Sequence, residues 1–569
     1  MRNIIVNDKK HIHIFAILAI VVVSLIGLHN YNMPVILNDE FGYWSNAELL
    51  VRGNWIDLAK ETPYYSMGYS LVLVPILYLF KTYSLAYHVA IVMNTLFLVI
   101  EYLCAVYILR AFDKTSNTLN TALQALCAIL LCSNIFHVRV GWCETFLTML
   151  LWISTALIVS IERNYKAYKI SVLYVVILLS YLTHQRSIGI IGIALLVLCC
   201  LLIKKKKIGA LIFIILASVL ILRFQVFVKD FQNGLIDNDR VSELNEVAFD
   251  GNLLKDKIGI ILSRIPEFIM SFFGKIYIAF FISLGVITIG VKNYIIKLVQ
   301  RIKNKSKSEL FTSESFIVLL ALAMIALSVV QIIGGTRKDE IVYSRYMEFS
   351  FGPLILISIS YFCRDIEKNL KAYLLGFAGF VVLSPFVYRE YITRPLFFNN
   401  PCSPIAGGLF ELYGKDESSL IIVSIEIFVL FIAAIFLVLR SERGRKNICK
   451  IVCCIMLAVN LYSGMEMSIW LRGVQQEFYA FIKPMKKEIE KHECIPVYFL
   501  KDDENYLYSA NAKYLQVTLE ERPIHVIEDI DEIESDEYFL LTNPRFYPVP
   551  YNCKYSCASS FLILYEKLE

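Results

Sequence analysis

Apolar runs of about 17–25 residues recur along most of this chain, and each is long enough to cross a hydrocarbon core roughly 30 Å thick. That repetition leaves few folds open. Of 569 residues, 57% are hydrophobic and 18% charged, too few charges for a soluble chain of this length. The expectation is an all-α polytopic membrane protein. Spans are expected near 12–30, 86–109, 119–136, 144–161, 170–184, 187–203, 208–228, 266–290, 314–334, 347–363, 372–388, 419–440 and 451–470, about 13 crossings. The first run is too long for a cleaved signal peptide and should remain as a helix.

Basic residues set the orientation. With the N-terminus cytoplasmic, the connections on that side carry Lys and Arg at about three times the density of the opposite ones. The run Lys204-Lys205-Lys206-Lys207 lies among them. Tyr64–Phe80 is apolar enough to cross, but crossing would invert every later turn. Gly68 and Pro75 within it also weaken a plain spanning helix. It is expected to lie at the interface.

Residues 1–470 then form the membrane module, with an outer loop 31–85 and a second, 229–265, able to serve as a lid. Residues 471–569, with 18 acidic and 11 basic side chains, differ in kind. Short strand-like runs at 495–500, 523–527 and 538–542 alternate with helix-like stretches, which predicts a small extracytoplasmic α/β domain. Most of the 14 cysteines fall in apolar spans, where they act as small hydrophobes. Cys402, Cys494, Cys553 and Cys557 fall outside, and spacing assigns no disulfide among them.

Charge collects at the outer ends of the spans. Asp39 and Glu40 follow the first span and lead into the aromatic stretch Phe41-Gly42-Tyr43-Trp44. Glu144 opens the fourth span. His184 and Arg186 sit in the turn between the fifth and sixth, and Arg337, Lys338, Arg345 and Tyr346 between the ninth and tenth. Charges held at membrane level are costly without a partner or a task. Plainer roles are also open: a helix cap for Asp39 or Glu40, an ion pair between Glu144 and Arg139, and snorkelling for Arg186.

The Asp39-Glu40 pair, Pro63-Tyr64-Tyr65-Ser66-Met67-Gly68-Tyr69, the acid at Glu144 and the turn Leu182-Thr183-His184-Gln185-Arg186-Ser187 together resemble the C-type glycosyltransferase superfamily. The likeness is greatest to its protein O-mannosyltransferase and aminoarabinose transferase families. It implies a multi-pass cell-membrane enzyme that moves a hexose or pentose from a polyprenyl-phosphate donor to an acceptor hydroxyl on a glycan, lipid or protein. It implies inversion, with Asp39 as general base and Glu40 and Glu144 as supporting carboxylates. Arg186, His184, Arg345 and Arg337 would bind the donor phosphate, and Tyr64, Tyr65 and Tyr346 would line the substrate groove. The family's Glu-Lys-Pro motif is missing; Tyr64-Tyr65-Ser66 stands in its place. No cofactor is required, no ligand spacing demands a metal although paired carboxylates could hold a divalent one, and no nucleic-acid partner is expected. The competing functions are a secondary transporter, which would show related halves and mid-bilayer breaks, and an extracytoplasmic polysaccharide polymerase or ligase.

Overall fold

The computed structural model describes residues 10–34, 37–113, 116–236, 258–304, 311–333, 335, 337–394, 400–412, 419–492, 494–501, 506–542, 553–558 and 562–567. Ten helices among them are long and apolar enough to cross a membrane, or eleven if one bent pair counts as a single span. Two further expected spans, 119–136 and 170–184, are built on the shorter apolar helices Thr118–Ile129 and Ala167–Thr183. This is a helical multi-pass membrane protein with a small C-terminal sheet. The proposed lid, 229–265, falls largely outside the described residues.

Four elements early in the chain position the candidate site. Helix α1 (Lys10–Leu25) is followed by the 3-10 turn Leu28–Asn30 and then by α2 (Leu37–Val51), whose first turn holds Asp39 and Glu40. A one-turn helix, α3 (Ile56–Lys60), precedes α4 (Met67–Leu79). At 13 residues α4 is about 20 Å long, short of a bilayer core. Pro75 stands inside α4. Gly68 lets α4 lie against the end of Ala167–Thr183, since a Cβ there would meet Thr183 Oγ1 at 2.5 Å and the Thr183 amide nitrogen at 2.6 Å.

Three expected spans are interrupted. The run 119–136 breaks after Ile129 and resumes as Cys132–His137. The run 266–290 divides into Ile265–Ile282 and Ile287–Lys303 at Ser283-Leu284-Gly285. Gly285 has φ +77° there, and a side chain would collide with Phe280 and Tyr373. Ile287–Lys303 ends in Arg301 and Lys303, so apolarity alone joined a spanning helix to the start of an amphipathic one. The run 347–363 is split between the short helix Arg345–Glu348 and Phe351–Arg364, and the segment Lys338–Glu348 meets Phe351–Arg364 at an 80° bend. Pro353 has no amide hydrogen to continue the preceding turn, and Gly352 packs where a Cβ would meet Trp152 at 2.7 Å.

The last apolar run belongs to a helix of 48 residues, Glu442–Ile489, about 70 Å long. The expected boundary at 470 therefore lies inside one continuous rod. Beyond it stands a five-stranded sheet in the order β2-β1-β3-β5-β4. Strands β1 (Val497–Leu500), β2 (Ile524–Ile527) and β3 (Tyr538–Thr542) are parallel neighbours, with β1 central. Strand β5 (Ile563–Lys567) pairs antiparallel with β3, and β4 (Lys554–Ala558) pairs antiparallel with β5 at the edge. The helix Tyr506–Leu519 connects β1 to β2. All fourteen cysteines are free.

This C-terminal unit docks on the 37–61 segment. Trp55 Nε1 donates to the Glu520 carbonyl at 2.8 Å, and the Tyr83 amide donates to the Glu520 carboxylate at 3.2 Å. His525 meets Asp57 at 3.1 Å and Lys501 meets Glu61 at 3.1 Å. Lys513 is fully buried at this junction, and burial pushes its ammonium down to about 7, against the opposing pull of Glu61. The unfolded chain keeps that proton up to about pH 10.4, so between these values the unfolded state binds more protons and stability rises with pH. Denaturant unfolding should show the docked unit gaining roughly a few kcal/mol from pH 7 to pH 10. Lys513→Met should remove that gain; an unchanged slope would contradict it.

Candidate functional site

Four charged side chains from four parts of the chain meet at the bundle end that carries the C-terminal unit. Asp39 comes from the first turn of α2, and Glu144 from the first turn of Glu144–Arg163. Arg186 comes from the 3-10 turn Gln185–Ser187, and Arg345 from the start of the bent pair. Arg345 stands between the acids. Its Nε donates to Glu144 Oε1 at 2.7 Å, and its other nitrogen donates to Asp39 Oδ2. Arg186 donates to the second oxygen of Glu144. Two carboxylates and two guanidiniums thus balance in formal charge.

The surroundings fix each member. The Arg345 guanidinium lies 3.9 Å from the centre of the Trp142 ring, a favourable cation–π approach. Arg186 faces Tyr346 and Phe349 at 5.4 and 5.1 Å. Its amide donates to His184 Nδ1 at 3.2 Å, so His184 shapes the turn, and the His184 ring lies 6.3 Å from Tyr346. Tyr65 donates its hydroxyl to Asp39 Oδ1 at 2.6 Å. It reaches across α2 because Gly42 has no side chain: a Cβ there would sit 2.1 Å from the Tyr65 ring. As a carboxylate in a helix first turn, Glu144 also gains from the helix dipole.

Burial and hydrogen-bond capacity distinguish the four. Arg345, Glu144 and Arg186 are buried, whereas the Asp39 side chain remains 23% exposed. Its oxygens each accept one hydrogen bond from the contacts above and, as carboxylate oxygens, have lone pairs to spare. Arg186 has capacity of the opposite kind. Its Nε and one terminal nitrogen are buried without a hydrogen-bond partner among the described residues. An unpaired buried donor is costly, and two on one guanidinium suit an anionic ligand.

Glu40 faces elsewhere. It accepts from the Tyr87 hydroxyl at 2.6 Å and from the Gly141 amide at 2.7 Å. Trp44, one helical turn on, donates to the Gly141 carbonyl at 2.9 Å. Both backbone groups of Gly141 are therefore held from α2, which fastens α2 to the loop that leads into Glu144. A Cβ at Gly141 would lie 2.7 Å from Trp44 Nε1 and 2.8 Å from Tyr87. Arg337 is engaged with Asp339 at 3.2 Å and Glu340 at 4.0 Å, and the described contacts do not join it to the four. The Tyr64 hydroxyl accepts from Gln225 at 3.2 Å. The Tyr346 ring packs tilted against Tyr343, with centroids 4.7 Å apart. Arg139 makes no pair with Glu144; it donates to the Ile135 and Val23 carbonyls.

Sequence reasoning assigned no role to Trp142, Tyr87, Gly42 or Gly141. Only Trp142 carried a signal, its place two residues before Glu144. Among the described residues no group of three or more His, Cys, Asp or Glu could hold a metal ion.

The fold that carries this cluster is similar to that of ArnT. ArnT from Cupriavidus metallidurans bound to undecaprenyl phosphate aligns over 98% of this chain and 98% of its own, at 12% identity and a TM-score of 0.56. The apo state of that protein aligns over 98% and 97%, at 12% identity and a TM-score of 0.53. At this identity the likeness is one of fold. No protein-family model and no curated protein sequence matches the chain.

Removing Glu144 leaves two buried guanidiniums without their shared counter-charge. Glu144→Ala should therefore cost about 3–5 kcal/mol of stability. Gly141→Ala should cost about 1–3 kcal/mol by overpacking. Thermal unfolding in detergent checks both, and a wild-type midpoint for either variant would contradict the geometry.

Proposed function

We propose that this protein is a membrane glycosyltransferase that moves a sugar from a polyprenyl-phosphate donor to an acceptor hydroxyl on the extracytoplasmic face. The observation that carries the reading is the open side of Arg186: two unspent donors on a guanidinium whose third nitrogen is anchored to Glu144. The ArnT fold supports the same donor, because that protein was crystallised with undecaprenyl phosphate. The density of basic residues supports a cytoplasmic N-terminus and an extracytoplasmic C-terminal unit.

In this reading the donor lipid lies along the helices from the outer leaflet, with its phosphate on Arg186. The acceptor hydroxyl approaches Asp39, the more exposed acid. Asp39 takes the hydroxyl proton as the acceptor oxygen bonds to the anomeric carbon. The bond from that carbon to the phosphate oxygen breaks, and its electron pair leaves with the phosphate. The departing group gains negative charge, which Arg186 meets with fixed donors that need no reorganisation. A single displacement inverts the anomeric centre and needs no carboxylate nucleophile. Glu144 holds both arginines in register, and Tyr65 and Arg345 orient Asp39. Glu40 acts at one remove, by holding α2. Arg337 has a lesser part than the sequence suggested, since its charge is already spent on Asp339 and Glu340.

Reconstituted protein with a radiolabelled polyprenyl-phosphate sugar tests this. Asp39→Asn should insert and fold normally but transfer sugar at least about 100-fold more slowly. Arg186→Met should lose turnover by a factor of about 100 or more, as expected when a donor to the developing charge is removed. Normal transfer by Asp39→Asn, or solute movement without donor consumption, would overturn the proposal.

A further inference from the structure

Asp39 lies between two residues that are each fastened to a different part of the molecule. On one side Glu40 is held by Tyr87 and Gly141. On the other, Asn38 is met by a side chain from the C-terminal unit: Lys513 Nζ lies 3.4 Å from Asn38 Oδ1 and donates to the Glu61 carbonyl at 2.9 Å. The same ammonium lies 5.9 Å from the Phe41 ring centre. Phe41 stacks on Trp55 at 5.3 Å.

We propose that Lys513 is a positioning residue for Asp39, so that the docked C-terminal α/β unit holds the first turn of α2 in register with Arg345. The proposal rests on the functional reading above. Three observations carry it. First, the opening turn of a helix is its least secured part, because its amides have no intrahelical acceptors. Asn38 and Asp39 stand there. Second, Lys513 is fully buried. A buried ammonium costs free energy that an apolar side chain of the same length would not, so what the lysine adds here is directed hydrogen bonding to Asn38 and Glu61. Third, the helix that bears Lys513 is itself fixed against the same loop. It ends at Leu519, and Glu520 follows with φ +56°, a left-handed helix end that turns its carbonyl onto Trp55 Nε1. Lys513 and Glu520 thus grip the loop at both ends of α3.

Lys513 touches neither reacting atom; it acts through Asn38. Small displacements at a reacting carboxylate lower turnover steeply. Lys513→Met keeps the length and burial and removes the donors. Expected for purified Lys513→Met are wild-type membrane insertion, a donor KM within about twofold, and a kcat lower by about 10–100-fold. Hydrogen–deuterium exchange should show faster exchange at residues 38–42 with protection of the sheet unchanged. Asn38→Ala, which leaves the C-terminal unit intact, should reproduce both effects and covers the case in which Lys513→Met fails to fold. Wild-type kcat in either folded variant, or unchanged exchange at 38–42, would overturn the proposal. If the wild-type protein transfers no sugar while Lys513→Met still loosens residues 38–42, the functional reading fails and the structural tie between Lys513 and α2 stands.

Discussion

A chain of charge-assisted hydrogen bonds, running Arg186–Glu144–Arg345–Asp39 and ending on Tyr65, holds the loop ends of the helix bundle together. In a buried setting such a chain is demanding. Desolvation of each ion costs several kcal/mol, and only well-aligned partners recover it. Its members are charge-balanced and backed by Trp142, Tyr346 and Phe349, yet the chain is incomplete at each end. Asp39 reaches solvent, and Arg186 keeps two donors unspent. An exposed acid ends the chain on one side and unpaired buried donors end it on the other, while both inner members are fully engaged.

The backbone around this chain is organised by a few close approaches. Gly141 admits Glu40 and Trp44, Gly42 admits Tyr65, and Gly68 admits the turn ahead of His184. Each is a place where one methyl group would separate two of the segments that must meet. The bend between Arg345–Glu348 and Phe351–Arg364 has a related effect. It ends one helical turn just after Arg345, so the guanidinium projects from a short corner rather than from the side of a continuous span. The C-terminal unit completes the arrangement by covering the loop that supplies Asp39.

Much of this was legible in the sequence, because hydropathy and charge act locally. The apolar runs gave the helices, and the acids and bases at their ends singled out Asp39, Glu144, Arg186 and Arg345. Strands β1 to β3 were visible as short β-branched and aromatic runs. Strands β4 and β5 were not: Lys554-Tyr555-Ser556-Cys557-Ala558 pairs along one side only, at the sheet edge, and has no apolar alternation. Helix breaks were missed where glycine and proline act through tertiary packing, as at Gly285 and Gly352. The division of labour between Asp39 and Glu40 was also hidden. Adjacent residues on a helix point about 100° apart, and only the placement of Gly141 decides which of the two faces the arginines.

The most direct measurement is an experimental structure of the protein with a polyprenyl phosphate bound in a lipid nanodisc. The expected result places phosphate oxygens within hydrogen-bond distance of Arg186 Nε and its free terminal nitrogen, with Glu144 still bridging both arginines. Phosphate density away from Arg186, or a ligand-bound state in which Asp39 has left Arg345 for a distant helix, would contradict the role given to this cluster.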